Sequence, residues 1–341
     1  MKSTLVALSV SLISACSPVI PRVEPMDSGA LLADAGGASV DADPGDAGAG
    51  LDAGVDGGGV TDAGALSDAG VSDGGRDPLV LARPFDVTVP VGYRAGTPVP
   101  LVVVLHGYTA TAQVQDMYFG ISRLAQTRGF LVALPNGLRD DTLQQYWNAT
   151  DACCAFGKTN DDVAYLTAVI RDVQARYSVD PKRVFLIGHS NGGFMSHRMA
   201  CDRAGLIAGI VALAGNVWAD PTKCTPSEGV AVLQVHGTLD PVIAYNGGAT
   251  VGQPPYPSAK DSVRTWGAKN GCTGANLSPI SGDLDLVTAL LGDETEREGF
   301  TGCPGNSAAE LWTIRAAGHL PLLNDQFAER VYTWLLAHAK P

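Results

Sequence analysis

The chain has 341 residues and a formal net charge of −12, from 35 acidic and 23 basic side chains. That balance excludes the basic surface by which nucleic acids and anionic membranes are bound. Forty-one glycines beside only 17% charged residues do not describe one uniform globular chain. Residues 17–77 hold twelve acids against Arg22 and Arg76, a net of −10, whereas residues 78–341 hold 23 acids against 20 bases, a net of −3.

Residues 1–16 open with Met1-Lys2, run through a short apolar stretch to Ile13 and end in Ser14-Ala15-Cys16. A basic start, an apolar core too short to span a bilayer and small residues before the break predict a secretory signal peptide. Ile13-Ser14-Ala15-Cys16 also resembles the bacterial lipobox, in which the cysteine is lipidated and becomes the mature N-terminus. Cys16 is the odd one of seven cysteines, which fits that role. The expectation is export to the cell envelope with a lipid anchor at Cys16, on the outer membrane or cell surface, with simple secretion as the alternative.

Residues 17–77 repeat Asp-Ala-Gly at Asp34, Asp46, Asp52, Asp62 and Asp68, with no aromatic residue. A segment so poor in large apolar side chains cannot offset the entropy of ordering, so it reads as an acidic tether. Its span as a Gly-rich coil is roughly 40–45 Å. Calcium-binding repeats are the sharper alternative, but the irregular spacing and the missing closing Glu of an EF-hand argue against them.

From Pro78 to Pro341 the pattern predicts one domain. Short apolar runs at 101–105, 130–134, 184–187, 207–213 and 230–235 read as buried strands. Between them, residues 161–177 carry Val163, Leu166, Ile170, Val173 and Tyr177 in the stripe of a helix packed on a sheet. Asp180-Pro181 is expected to end that helix before the next strand. A strand at 310–314 and a last helix at 325–339 complete the alternation. Strands apolar on both faces, alternating with helices, imply an α/β fold with a mostly parallel, doubly wound sheet covered on both faces. Cys153, Cys154, Cys201, Cys224, Cys272 and Cys303 form an even set, which in an exported chain favours disulfides. Zinc is disfavoured because no C-x2-C pair exists, and the pairing is open at this point.

The run Val184 to Ile187 passes directly into Gly188-His189-Ser190-Asn191-Gly192-Gly193 and then an amphipathic stretch. This is G-x-S-x-G in a strand–turn–helix context, where glycines allow the sharp turn that lifts a serine hydroxyl above a sheet. A serine needs a base to become nucleophilic, and in this arrangement the acid and then the histidine follow in chain order. Asp240, in His236-Gly237-Thr238-Leu239-Asp240, and His319, in Ala317-Gly318-His319, both lie just beyond predicted strands. The expected assignment is Ser190 as nucleophile, Asp240 as orienting acid and His319 as base, with His236 the rival base. The oxyanion donors are expected to be the backbone N–H groups of Asn191 and of the His106-Gly107-Tyr108 loop, at Tyr108. His106 is expected to shape that loop, and His189 to pack.

With these motifs in place, residues 101–107, 130–137, 161–165, 188–193, 236–240 and 311–319 together resemble the polyhydroxybutyrate depolymerase and feruloyl esterase family of α/β-hydrolases, which includes the family-one carbohydrate esterases. The likeness runs from about Pro98 to Leu336. It implies the same three catalytic residues. It also implies a Cys272–Cys303 bridge, leaving Cys153, Cys154, Cys201 and Cys224 to form two more. The sequence departs from the family around the histidine, where Leu320-Pro321 stands in place of an aromatic Trp-Pro.

Tyr146, Trp147 and Phe156 before the predicted helix, and Tyr245 after Asp240, are expected to wall the substrate pocket. The function that follows is a serine carboxylic-ester hydrolase working through an acyl-enzyme on feruloyl or acetyl esters of plant polysaccharide. Polyhydroxybutyrate hydrolysis, peptide hydrolysis and a non-catalytic surface-anchored binding protein are the alternatives. No cofactor, metal or nucleic-acid partner is expected, and the chain is expected to be a monomer.

Overall fold

The computed structural model describes residues 75–154, 157–250 and 252–341. The expected signal peptide, Cys16, nearly all of the Asp-Ala-Gly segment and Phe156 lie outside the described residues. In chain order the elements are α1 (Pro78–Ala82), β1 (Asp86–Thr88), β2 (Val99–Leu105), α2 (Ala112–Phe119), α3 (Ile121–Arg128), β3 (Leu131–Leu134), β4 (Leu138–Arg139), β5 (Gln145–Tyr146), α4 (Asp162–Arg176), β6 (Val179–His189) and α5 (Asn191–Asp202). There follow β7 (Gly209–Leu213), β8 (Ala231–Gly237), β9 (Gly248–Ala249), β10 (Pro255–Tyr256), α6 (Ala259–Lys269), β11 (Ser278–Pro279), β12 (Thr295–Gly299), β13 (Ala309–Ile314) and α7 (Gln326–Ala337).

Nine strands form one sheet in the order β1-β3-β2-β6-β7-β8-β13-β12-β11. The run from β3 to β13 is parallel throughout, and β1, β12 and β11 pair antiparallel at the edges. Chain order reverses at β2, which is flanked by β3 on one side and β6 on the other. Loops leaving neighbouring strands at such a reversal diverge and open a crevice at their carboxyl ends.

Alternation along each strand feeds two apolar layers. Leu101, Val103 and Leu105 of β2 join Leu166 of α4, Met199 of α5 and Trp266 of α6 on one face. Val102 and Val104 join Phe119 of α2, Ala125 of α3 and Val331 of α7 on the other. Burying each such aliphatic side chain is worth about 1.5–3 kcal/mol. The predicted break at Asp180-Pro181 is instead absorbed inside β6. That strand pairs with β2 from Val179 onward across a register shift between Val99 and Leu101. The shift lets the segment 180–182, exposed at Pro181 and Lys182, bulge away, where a proline costs no ladder bond.

α1 begins at an Asp77 cap with Pro78 in its first turn. It delivers Arg83 to the buried Asp162 at 2.7 Å. Arg83 also donates to the Asn136 carbonyl at 2.8 Å and lies 3.7 Å from the Tyr165 ring centroid. Asp162 further accepts from the Asn148 amide and the Asn160 side chain, each at 2.7 Å. This buried ion pair ties the start of the domain to the loop that precedes α4. The cysteines pair as Cys153–Cys154, Cys201–Cys224 and Cys272–Cys303, consistent with an oxidising compartment.

Candidate active site

β6 ends at His189, and Ser190 turns the chain into α5 with φ 53° and ψ −119°. A non-glycine residue holds such a conformation only where its surroundings over-determine it. Both neighbouring glycines are required by close approach. A Cβ on Gly188 would lie 2.1 Å from the Gly192 carbonyl oxygen, and one on Gly192 would lie 2.2 Å from that of Leu105. The elbow is therefore pressed against the end of β2, and its amide is held by the Leu213 carbonyl at 2.8 Å. Thr109, Ala214 and Ala316 also have positive φ. With Ser190 they all follow the carboxyl ends of parallel strands.

Asp240 sits three residues beyond β8 and His319 five beyond β13. The two loops are laced together by Thr238 N–H to the Ile314 carbonyl (3.0 Å), Leu239 N–H to that of Ala317 (2.9 Å) and Ala316 N–H to Thr238 Oγ1 (2.9 Å). Asp240 Oδ1 accepts the amides of Val242 and Ile243 at 2.8 and 2.9 Å. Its Oδ2 lies 2.7 Å from His319 Nδ1 and 3.4 Å from His236 Nε2. Burial alone would raise the Asp240 carboxyl, but hydrogen bonds from His236, His319 and the Ile243 amide outweigh it and hold the group well below the ordinary range. Asp240 is thus an anion at neutral pH. A proton on His319 Nδ1 leaves Nε2 with its lone pair available. His319 is fixed over the elbow because its carbonyl meets His189 Nε2 at 2.9 Å and the two rings lie 4.7 Å apart. No hydrogen bond joins the Ser190 hydroxyl to His319 among the described residues; in hydrolases of this kind that contact tightens on substrate binding.

On the other side of the serine, the loop after β2 comes close enough that a Cβ on Gly107 would sit 3.6 Å from Ser190 Cβ. His106 is fully buried and structural. Its Nε2 accepts the Gly137 amide at 2.9 Å and its Nδ1 donates to the Gly107 carbonyl at 2.8 Å. Gln115, on α2, takes the Gly107 N–H at 3.1 Å, so that amide is turned away from the crevice. Tyr108 follows in the same loop, its hydroxyl donating to Asp140. Asn191 is the first residue of α5, whose N–H has no partner one turn back. The Asn191 side chain clamps the backbone of residue 147, accepting its N–H at 2.6 Å and donating to its carbonyl at 3.0 Å.

That clamp corrects one expectation. Trp147 is fully buried, with its indole donating to the His106 carbonyl at 3.0 Å, so it underpins the elbow and does not wall a pocket. Tyr146 is buried too, bonded to Asn160. Both lie under the surface because the β4–β5 hairpin folds its second strand inward. Tyr245 is half-buried, its hydroxyl 2.8 Å from Thr313 Oγ1 and its ring edge-on to His236. Gln115 escaped notice in the sequence because nothing in its spacing from Gly107 marks it.

His106, His189 and His197 are held down to about 4, chiefly by burial; for His189 the neighbouring His319 adds to the effect. In the unfolded chain each titrates near 6.5. The unfolded state therefore binds more protons across that interval, and the stability these neutral rings carry is present above pH 6.5 and lost as pH falls toward 4. Thermal melts should show Tm flat near pH 7 and falling steeply between about pH 6.5 and 4. A Tm constant across that window would contradict the buried neutral assignment.

The sheet order, the strained serine after β6 and the bonded acid and histidine after β8 and β13 define an α/β-hydrolase fold. Comparison with known proteins gives the same class. Residues 157–255 match the family described as phospholipase/carboxylesterase. The chain is 29% identical over 240 residues to feruloyl esterase B of Piromyces equi, a match covering 68% of this chain and 42% of that protein. It is 30% identical over 251 residues to poly(3-hydroxyalkanoate) depolymerase C of Paucimonas lemoignei, covering 68% and 56% respectively. Feruloyl esterase C of Emericella nidulans matches at 27% over 229 residues, 65% of this chain and 71% of the relative. The chain thus spans about two fifths of the Piromyces protein's length. Among solved structures, an acetyl xylan esterase from Aspergillus awamori superposes with a TM-score of 0.53 at 15% identity, over 74% of this chain and 93% of that one. The chain is a sequence relative of feruloyl esterases and of a poly(3-hydroxyalkanoate) depolymerase.

Proposed function

We propose that residues 78–341 form a serine carboxylic-ester hydrolase acting on feruloyl or acetyl esters of plant polysaccharide. The observation that carries the reading is the Asp240–His319 pair at 2.7 Å, fixed over the elbow that presents Ser190. Ser190 Oγ attacks the ester carbonyl while His319 Nε2 takes its proton; the proton then passes to the departing alkoxide as the carbonyl–oxygen bond breaks, giving an acyl-enzyme and free alcohol. Water, deprotonated by the same nitrogen, releases the acid. Asp240 stays ionised throughout and holds the imidazole, and the Asn191 and Tyr108 amides receive the oxyanion. Cys16 carries a lipid anchor, and residues 17–77 tether the enzyme to the envelope, on the outer membrane or cell surface.

A polyester substrate is the second reading. It is favoured by Leu239 and Val242 on either side of Asp240 and by Leu320 and Leu322 after His319, all more than half exposed. Apolar side chains left out of the core beside a site mark contact with an apolar partner. Wild type should be assayed against methyl ferulate, acetylated xylan, amorphous polyhydroxybutyrate and a peptide amide. Release of ferulate or acetate supports the first reading and release of hydroxybutyrate the second. Cleavage of the amide alone would make the protein a peptidase, and no turnover on any of them would leave a binding protein. For the anchor, Cys16→Ser is expected to move the protein from the detergent phase to the aqueous phase; an unchanged partition would refute lipidation.

A further inference from the structure

Beneath the site lies a chain of buried polar groups that the proposed chemistry does not use. On β8 the side chains of Val232, Gln234 and His236 alternate toward α5 and α6, and the last two are polar where that face is otherwise apolar. Gln234, His236, His197 of α5, Ser262 of α6 and Asn216 are each 0% exposed.

Their hydrogen bonds run in one direction, and the direction is set at the far end. The Trp266 indole has only an N–H to give, and it meets His197 Nδ1 at 2.9 Å. His197, kept neutral by burial, must therefore carry its proton on Nε2, which faces Gln234 Oε1 at 2.9 Å. Gln234 is thereby oriented with its NH2 toward Asn216 Oδ1 and His236 Nδ1, each at 3.3 Å. Asn216 Oδ1 also accepts from Ser262 Oγ at 3.2 Å. One buried amide nitrogen, Asn216 Nδ2, is left without a partner. Flipping Asn216 would not recover it, because the amide would then face the Gln234 donor. His236 Nδ1 is consequently an acceptor, and the proton sits on Nε2. That N–H meets the Ile243 carbonyl at 2.8 Å and Asp240 Oδ2 at 3.4 Å.

We infer that His236 is a positioning residue for Asp240, locked in its Nε2–H form by a relay that begins at Trp266. It closes the turn whose amides bind Asp240 Oδ1, and it lends a further donor to the oxygen that holds His319. Both ring nitrogens are committed, so His236 is not the general base. The groups facing it are Gln234, Asp240, the Ile243 carbonyl and the Tyr245 ring. Its kinetic consequence rests on the esterase reading; its tautomer does not.

The test uses the full chain labelled with ¹⁵N-histidine. Long-range ¹H–¹⁵N correlation, with His236 assigned by its loss in His236→Gln, should show that the neutral ring of His236 carries its proton on Nε2. In Trp266→Phe, His197 should lose its single tautomer. With 4-nitrophenyl acetate, His236→Leu should lower kcat about 10- to 100-fold with KM within about twofold. His236→Gln, whose amide N–H can reach the Ile243 carbonyl, should recover most of the loss. A proton on Nδ1, or a wild-type kcat in His236→Leu, would overturn the assignment. If wild type hydrolyses no ester, the functional reading falls and the tautomer measurement alone decides this one.

Discussion

Ser190→Ala should leave a folded protein whose kcat toward 4-nitrophenyl acetate is lower by about 10⁴-fold or more. The backbone at Ser190 sits at φ 53°, a conformation alanine adopts with the same Cβ strain as serine, so the elbow is retained and only the hydroxyl is removed. The oxyanion donors and the Asp240–His319 pair survive, which is why the residual rate should exceed that in water. Ser190→Gly separates strain from chemistry. It should be equally inactive yet melt higher, by about 1 kcal/mol of relieved strain net of the extra chain entropy. Stopped-flow rates and thermal melts on the three proteins check both halves. An active Ser190→Ala would remove the serine from the reaction. A Ser190→Gly no more stable than Ser190→Ala would mean that the elbow stores no strain.

Gly192→Ala should be damaging in a different way. The added methyl would stand 2.2 Å from the Leu105 carbonyl oxygen and 2.6 Å from that of His106. Both contacts are backbone, so no rotamer relieves them, and the elbow must part from the loop after β2. The expected cost is about 3 kcal/mol or more, and kcat should fall because the two proposed oxyanion amides lie on the parts forced apart. Gly92→Ala is the control. Nothing lies within 4 Å of its added methyl, and its stability should stay within about 0.5 kcal/mol of wild type. Urea midpoints measure both, and a Gly192→Ala protein as stable as Gly92→Ala would show that the elbow and loop are not in contact as described.

The parallel half of the sheet and the serine, acid and histidine positions were legible because each carries a strong local demand. A strand buried on both faces must be apolar at every position, as Leu101 to Leu105 is. A serine turned out between strand and helix must have glycines beside it. The antiparallel strand Thr295–Gly299 is not legible, since Thr-Glu-Arg-Glu-Gly is polar and is held as a strand by the ladders that β13 and β11 offer it. Tyr146 and Trp147 look like pocket walls in the sequence because an aromatic in a loop carries no mark of the direction it faces. The hairpin turned them inward, and Asn191, chosen for its backbone, proved to clamp Trp147 with its side chain. Gln115 reaches Gly107 through tertiary contact alone. The relay beneath Asp240 did leave a trace, since Gln234 and His236 interrupt an apolar strand; the structure supplies what the trace lacked, a donor-only indole that sets its direction.

The reaction is expected to pass through an ester bond to Ser190. Mixing wild type with excess 4-nitrophenyl acetate, quenching in acid during the first turnover and mapping the peptides by mass spectrometry tests it directly. One acetyl group is expected on the peptide bearing Ser190, located on Ser190 itself and absent from Ser190→Ala. Nitrophenol released with no protein adduct, or an adduct on any other residue, would contradict it.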